Sequence, residues 1–284
     1  MRVRALIFGL VLLLSAGLSP AEPARRVVSL NPSLTAILVA IGARSSLVGI
    51  DEFSARENPA LADLPRVGGL YNPGLEAVVA LSPDLVVAVP SAEQRDFRAR
   101  LAALGIPLLE LNPVRFDEVL ASIERLGARV GCEGAAAARV AEIRRVRRGV
   151  EAATRELPRV RTLLVLQRDP PFVVGSGSFV DEMISAAGAE NAGAKFAAPY
   201  PRVTREWIIA AAPEAILDSS DSPVDAYEYW SQWPSLPAVR QRRVVPLSTG
   251  VVTLPGPYLD RALLAIASAI HGPEVVNHLV EPGS

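Results

Sequence analysis

Short β-branched runs alternate with helically spaced apolar residues along most of this chain. "RRVVSL" at 25–30 reads as a strand, and Asn31 followed by Pro32 supplies a helix cap and a first helical residue. Leu34, Ile37, Leu38 and Ile41 then recur at the i, i+3, i+4, i+7 spacing of one buried stripe, Gly42 stops the helix, and "SLVGI" is the next strand. After a loop with Pro59 and Pro65, Asn72-Pro73 opens a helix through Leu81, which Pro83 ends before the buried-type strand "DLVVAV". A helix over 92–104 leads to the strand "IPLLEL". This alternation predicts a parallel α/β lobe.

Residues 115–157 break the rhythm and hold no strand pattern. "FDEVLASIERLGARVG" predicts one amphipathic helix and "CEGAAAARVAEIRRVRRGVEAATREL" a longer one, about 25 residues and nearly 40 Å long at 1.5 Å per residue. From Val160 the alternation resumes with the strand "RTLLVLQ". A helix in "SGSFVDEMISAAGAEN" ending near Gly188, the strands "EAILDS" and "RRVVPLS" and a last helix over 258–271 follow.

Two segments nearly repeat. "LEAVVALSPDLVVA" from Leu75 and "REWIIAAAPEAILD" from Arg205 align Glu76 with Glu206, Pro83 with Pro213 and Asp84 with Glu214. Each is a helix, a proline, an acid and a strand, so they occupy equivalent places in two similar lobes, with a cleft expected between them. The fold expected is α/β, two Rossmann-like lobes joined by a single long backbone helix. Its parts are a lobe over 22–131, the helix over 132–157 and a lobe over 158–284.

Composition narrows the function. The net charge is -1, with no basic excess that would meet nucleic acid. Arg2 and Arg4 precede the apolar run "ALIFGLVLLL", and Ser19-Pro20-Ala21 places small residues at a cleavage site, which predicts a signal peptide over 1–21 and an exported chain starting near Glu22. Cys132 is alone and has no internal disulfide partner. The only histidines, His271 and His278, are too few for a metal site and read as surface residues. "GSGSF" at 175–179 lacks the last glycine of a nucleophile elbow and the lysine of a phosphate loop, so it reads as a turn at a helix start. No catalytic residue or catalytic cofactor is assigned; an exported enzyme or a scaffold protein is the alternative of another class.

"RVVSLNPSLTAILVAIG", "PRVGGLYNPGLEAVVALSPDLVV", "GSGSFVDEMISAAGAEN" and "LPGPYLDRALLAIASAIHG" together resemble the substrate-binding proteins of ABC importers whose lobes are joined by one long helix. The likeness covers about 25–272 and is strongest to the members that bind cobalamin. It implies a monomer in the periplasm that delivers a small molecule to a permease and ATPase complex. By match to the family's pocket positions, Phe53, Phe172 and Tyr200 would hold the ligand, with Tyr71 beside a fourth such position. Glu76 and Glu206 match the acids that dock on permease arginines. The chain departs from the cobalamin pattern at Leu70, near Val89 and in "STGVVTLPGP", where that pattern carries tryptophan. Haem stays open, since Tyr71 lies five residues before Glu76, close to the axial tyrosine of the haem binders. A ferric siderophore stays open too, since Arg56, Arg168 and Arg202 fall in loops expected near the cleft.

Overall fold

In the computed structural model, which describes residues 22–279, the β-branched runs pair as two separate sheets. The expected signal peptide lies outside the described residues. The first sheet is wholly parallel and contains β1 (Val27–Ser29), β2 (Leu47–Ile50), β3 (Leu85–Ala88) and β4 (Leu108–Glu110) in the order β2-β1-β3-β4. The second contains β5 (Val160–Arg168), β6 (Pro171–Val173), β7 (Ala189–Asn191), β8 (Ala215–Asp218) and β9 (Val244–Pro246). There β7 and β8 flank β5 and β9 follows β8, all parallel, which repeats the first sheet strand for strand. The antiparallel β6, which the sequence pattern did not predict, pairs with the far end of β5.

Between the sheets lie helices Phe116–Val130 and Glu133–Thr154, with no strand between them. The second, 22 residues long, buries Ala136, Val140, Ile143, Val146, Val150 and Thr154 along one stripe. Gly127 faces Ala136 so closely that a Cβ at 127 has no room, which lets the two helices pack against each other. At its other flank the long helix packs on Leu259–His271, where Arg139 pairs with Asp260 and donates to the Pro257 carbonyl at 2.6 Å. One apolar core therefore runs from Leu34, Ile37 and Phe116 through Val140 and Ile143 to Phe179, Met183 and Leu263. The lobes are joined by a stiff, packed helix.

The helix expected to end near Gly188 stops at Ala186, Gly188 turns left-handed at φ 71°, and the next three residues form β7, a strand that the sequence pattern did not predict. One sequence expectation needs correcting: His271 is not a free surface residue. Its Nε2 lies 2.8 Å from the Ala187 carbonyl, tying the last helix to that turn, and desolvation holds its imidazole below the ordinary range.

Candidate functional site

The parallel strands of the first sheet end at the same edge, and residues that follow three of them line a cleft between the lobes. Asn31 follows β1, Val89 follows β3 and Asn112 follows β4, while Leu166 in β5 and Phe179 face them from the second lobe. The cleft encloses about 780 Å³. Parallel sheets place ligands at the carboxyl ends of their strands because the loops there are free to diverge.

Two loops bring in aromatic side chains. The loop Gly68–Pro73 folds back on itself: Gly68 sits at φ 107°, where a Cβ would come within 2.9 Å of the Asn72 carbonyl oxygen. The N–H of Gly74 donates to Val67 at 2.7 Å, and this closure presents Leu70 and Tyr71 to the cleft. From the other lobe, the N–H groups of Gly175 and Ser176 donate to the carbonyls of Pro199 and Phe196 at 2.8 and 3.0 Å, and this turn presents Pro199 and Tyr200. Tyr71 is 62% exposed and Tyr200 41%. Desolvation pushes the Tyr200 phenol above its ordinary pKa, so it stays protonated and neutral. At the seam the Phe179 N–H donates to the Val114 carbonyl at 2.8 Å, one hydrogen bond directly across the lobes.

Of the four aromatic residues expected at the ligand, Tyr71 and Tyr200 meet in this cleft from opposite lobes. Phe53 and Phe172 are not among its lining residues. Phe53 lies in the short helix Glu52–Glu57 with the Arg56 guanidinium 4.5 Å from its ring centre, and Phe172 lies in β6 with Arg202 at 5.2 Å. Arg168 does not face a ligand loop as expected. Its Nε donates to Asp218 at 2.9 Å in an ion pair that is 7% and 0% exposed, and Val224 and Ser222 accept from the same guanidinium. No charged side chain lines the described cleft.

Its polar groups are Asn31, Ser33, Asn112, Thr253 and the two tyrosines, and the first four escaped sequence reasoning. A signal for two of them was present: the tripeptide Leu-Asn-Pro occurs at 30–32 and again at 111–113, each time directly after a strand. Among the described residues no cluster of side chains suited to a metal ion occurs.

Glu76 and Glu206 are exposed, in the first turns of helices Leu75–Ala80 and Arg205–Ala211, and neither lines the cleft. Glu76 stands at a depression of about 280 Å³ with Asp96, Phe97 and Arg100. Glu206 accepts from its own backbone N–H and the Thr204 hydroxyl, which hold its carboxyl below the ordinary range.

Two duplicated α/β lobes on a helical strut, with an uncharged cleft at their strand ends, define a bilobal receptor for a small molecule. The chain belongs to the periplasmic binding protein family, whose sequence profile matches residues 27–248. It is 29% identical to the vitamin B12-binding protein of Vibrio parahaemolyticus serotype O3:K6 over 248 residues, 86% of this chain and 89% of that one. Among solved structures it resembles the periplasmic vitamin B12-binding protein of Vibrio cholerae, with a TM-score of 0.76, 25% identity and coverage of 89% of this chain and 98% of that one. It also resembles the periplasmic haem-binding protein of Roseiflexus sp. RS-1 in its apo form, with a TM-score of 0.75, 25% identity and coverage of 89% and 99%.

Proposed function

We propose that the protein captures cobalamin (vitamin B12) or a related corrinoid in the interlobe cleft and delivers it to an ABC importer, without catalysing a reaction. The observation that carries this reading is the lining of the cleft, which combines two opposed tyrosines and two asparagine amides with no charged side chain. A corrin is a broad ring edged by neutral amides, which apolar and aromatic faces and a few amide or hydroxyl groups can hold. A haem carboxylate or an anionic iron chelate needs a cation to offset its desolvation. The nearby candidates Arg56 and Arg202 stack on Phe53 and Phe172, and Arg168 is committed to Asp218. The vitamin B12-binding relatives support the same ligand.

Tyr71 and Tyr200 take the ring faces in this reading, with Phe53 and Phe172 as secondary contacts. Glu76 and Glu206 meet the permease of a permease and ATPase complex, and the protein works as a monomer in the periplasm after its signal peptide is cut near Ala21. Haem is the second reading, favoured by Tyr71 as a ligand for iron and by the haem-binding neighbour.

Calorimetric titration of the mature protein with cyanocobalamin, haemin and a ferric siderophore, each separately, tests the assignment. Saturable one-to-one binding of cyanocobalamin is expected. Haemin binding with a spectrum lost in Tyr71→Phe moves the assignment to haem.

A further inference from the structure

We infer that Gln94, outside the cleft, is the positioning residue that aims Tyr71 at the ligand. The inference rests on the proposed role of the cleft and follows from how the Tyr71 loop is held. The base of the loop is secured: Val67 donates to Ile50, Glu52 donates to the Gly68 carbonyl, and Gly74 donates to Val67. Beyond Gly68 that support ends. The tip, residues 69–72, makes one hydrogen bond to another element among the described residues, from Gln94 Nε2 to the Leu70 carbonyl at 2.6 Å. Tyr71 is the next residue after that carbonyl, so the bond fixes the peptide from which the ring departs.

Gln94 is itself well anchored. It precedes helix Arg95–Ala103, and its carbonyl accepts the Arg98 N–H at 3.0 Å. Phe97 and Leu101 fix that helix in the apolar cluster beneath β3. Gln94 is only 3% exposed, and its Oε1 is buried without a partner. The amide cannot turn over to relieve that atom, because its oxygen would then face the Leu70 oxygen. A fold keeps an unpaired buried carbonyl at a cost, and a leucine or methionine could fill much the same volume. What glutamine adds here is the donor at its other corner. Core, helix, Gln94 and the Leu70 peptide thus form a rigid chain that ends at a ring which is itself mostly in solvent.

Gln94→Leu keeps the volume, removes the donor and removes the orphaned oxygen, so it spares the lobe while freeing the loop. Two readouts decide the matter. The first needs no ligand: 19F NMR of protein labelled with fluorotyrosine gives one resonance for each of the 5 tyrosines, with Tyr71 assigned by its loss in Tyr71→Phe. In Gln94→Leu the Tyr71 resonance is expected to shift or broaden while those of Tyr200, Tyr227, Tyr229 and Tyr258 stay in place. An unmoved Tyr71 resonance overturns the inference.

The second readout is a double-mutant cycle in cyanocobalamin affinity. Gln94→Leu should weaken binding about three- to tenfold, the scale of one hydrogen bond, in the otherwise unchanged protein. In a Tyr71→Ala background it should weaken binding no further. Losses that simply add would mean that Gln94 acts on the ligand by another route, and positioning through Tyr71 would be wrong. If the unmodified protein takes up no cyanocobalamin, the ligand assignment fails by itself, and the NMR result still decides the role of Gln94.

Discussion

Ser82 and Ala212 turn the chain the same way at the same place: each follows the repeated helix, each precedes a proline, and each is left-handed, at φ 46° and 48°. The surroundings are duplicated too. The Asp84 carboxylate accepts the backbone N–H groups of Arg25 and Arg26 at 2.9 and 3.0 Å, and Glu214 accepts that of Arg161 at 3.0 Å. The guanidinium of Arg26 reaches back to Leu81 and that of Arg161 to Ala211. The acid and the helix end thus clamp the start of the central strand in both lobes, which explains why the chain repeats those residues.

A left-handed alanine is strained by its Cβ, by about 1–2 kcal/mol, whereas glycine is not. Ala212→Gly should therefore raise stability by up to about 1 kcal/mol once the added freedom of the unfolded chain is offset. Ala212→Val should lower it. Denaturant midpoints at constant slope would measure both, and a loss of stability in the glycine variant would refute the strain argument.

Arg168 and Asp218 give a larger effect. Asp218 accepts the Arg168 guanidinium, the Trp230 indole N–H at 2.6 Å and the Ser220 hydroxyl at 2.5 Å, all in the second lobe. Asp218→Ala strands a buried guanidinium, at a cost of about 3–5 kcal/mol. Replacing both partners, by Arg168→Met with Asp218→Leu, should recover part of that loss. Equilibrium unfolding of the single and double variants provides the comparison, and a double variant as unstable as the single one would contradict it.

Asp51 predicts a dependence on pH. It caps helix Glu52–Glu57 through the N–H groups of Phe53 and Ser54, and its side chain bonds the Ser54 hydroxyl. Burial nevertheless raises its pKa above the ordinary value of 3.8. A carboxyl with a raised folded pKa binds its proton more tightly when folded. This residue's contribution is therefore fully present below the unfolded value and is lost as pH rises through the folded one. Asp51→Asn keeps an acceptor for the cap and should flatten the stability profile just above pH 3.8. An unchanged slope there would assign the titration to another group.

The ligand prediction separates the four aromatic residues. Tyr71→Ala and Tyr200→Ala should each weaken cyanocobalamin binding by about 1–3 kcal/mol, the burial of one aromatic face. Phe53→Ala and Phe172→Ala should cost less, since neither ring lines the cleft. Calorimetry on the four variants ranks them, and a larger loss at Phe172 than at Tyr71 would move the site toward β6.

Periodicity was a good guide to the elements and a poor guide to the loops. The stripe of Leu34, Ile37 and Leu38 and the strand-free stretch around the long helix were legible because they follow local spacing. The duplication was legible because its residues repeat. The fate of Arg168 was not, because its partner Asp218 lies in a different strand and only sheet pairing joins them. Loop convergence was equally hidden: nothing local distinguishes Tyr71, which reaches the cleft, from Phe53, which stacks under its neighbour Arg56. The repeated Leu-Asn-Pro was readable, but its meaning depends on both asparagines following strands of one sheet.

Glu76 and Glu206 carry the last prediction. They stand in the first turns of equivalent helices, one in each lobe, exposed and outside the cleft. Two separated acids give a partner a two-point electrostatic register, and a permease arginine can meet each in a charge-assisted contact. Reversing both, Glu76→Lys with Glu206→Lys, places like charges together at that interface, at a cost of several kcal/mol, and should abolish uptake. Cyanocobalamin affinity of the isolated double variant should equal that of the unmodified protein, because neither residue lines the cleft. Uptake in cells and calorimetry on the same variant therefore have to diverge. If uptake survives, or if ligand affinity falls as far as uptake does, the two acids serve only their helix starts, where a carboxylate gains from the helix dipole whether or not a partner is present.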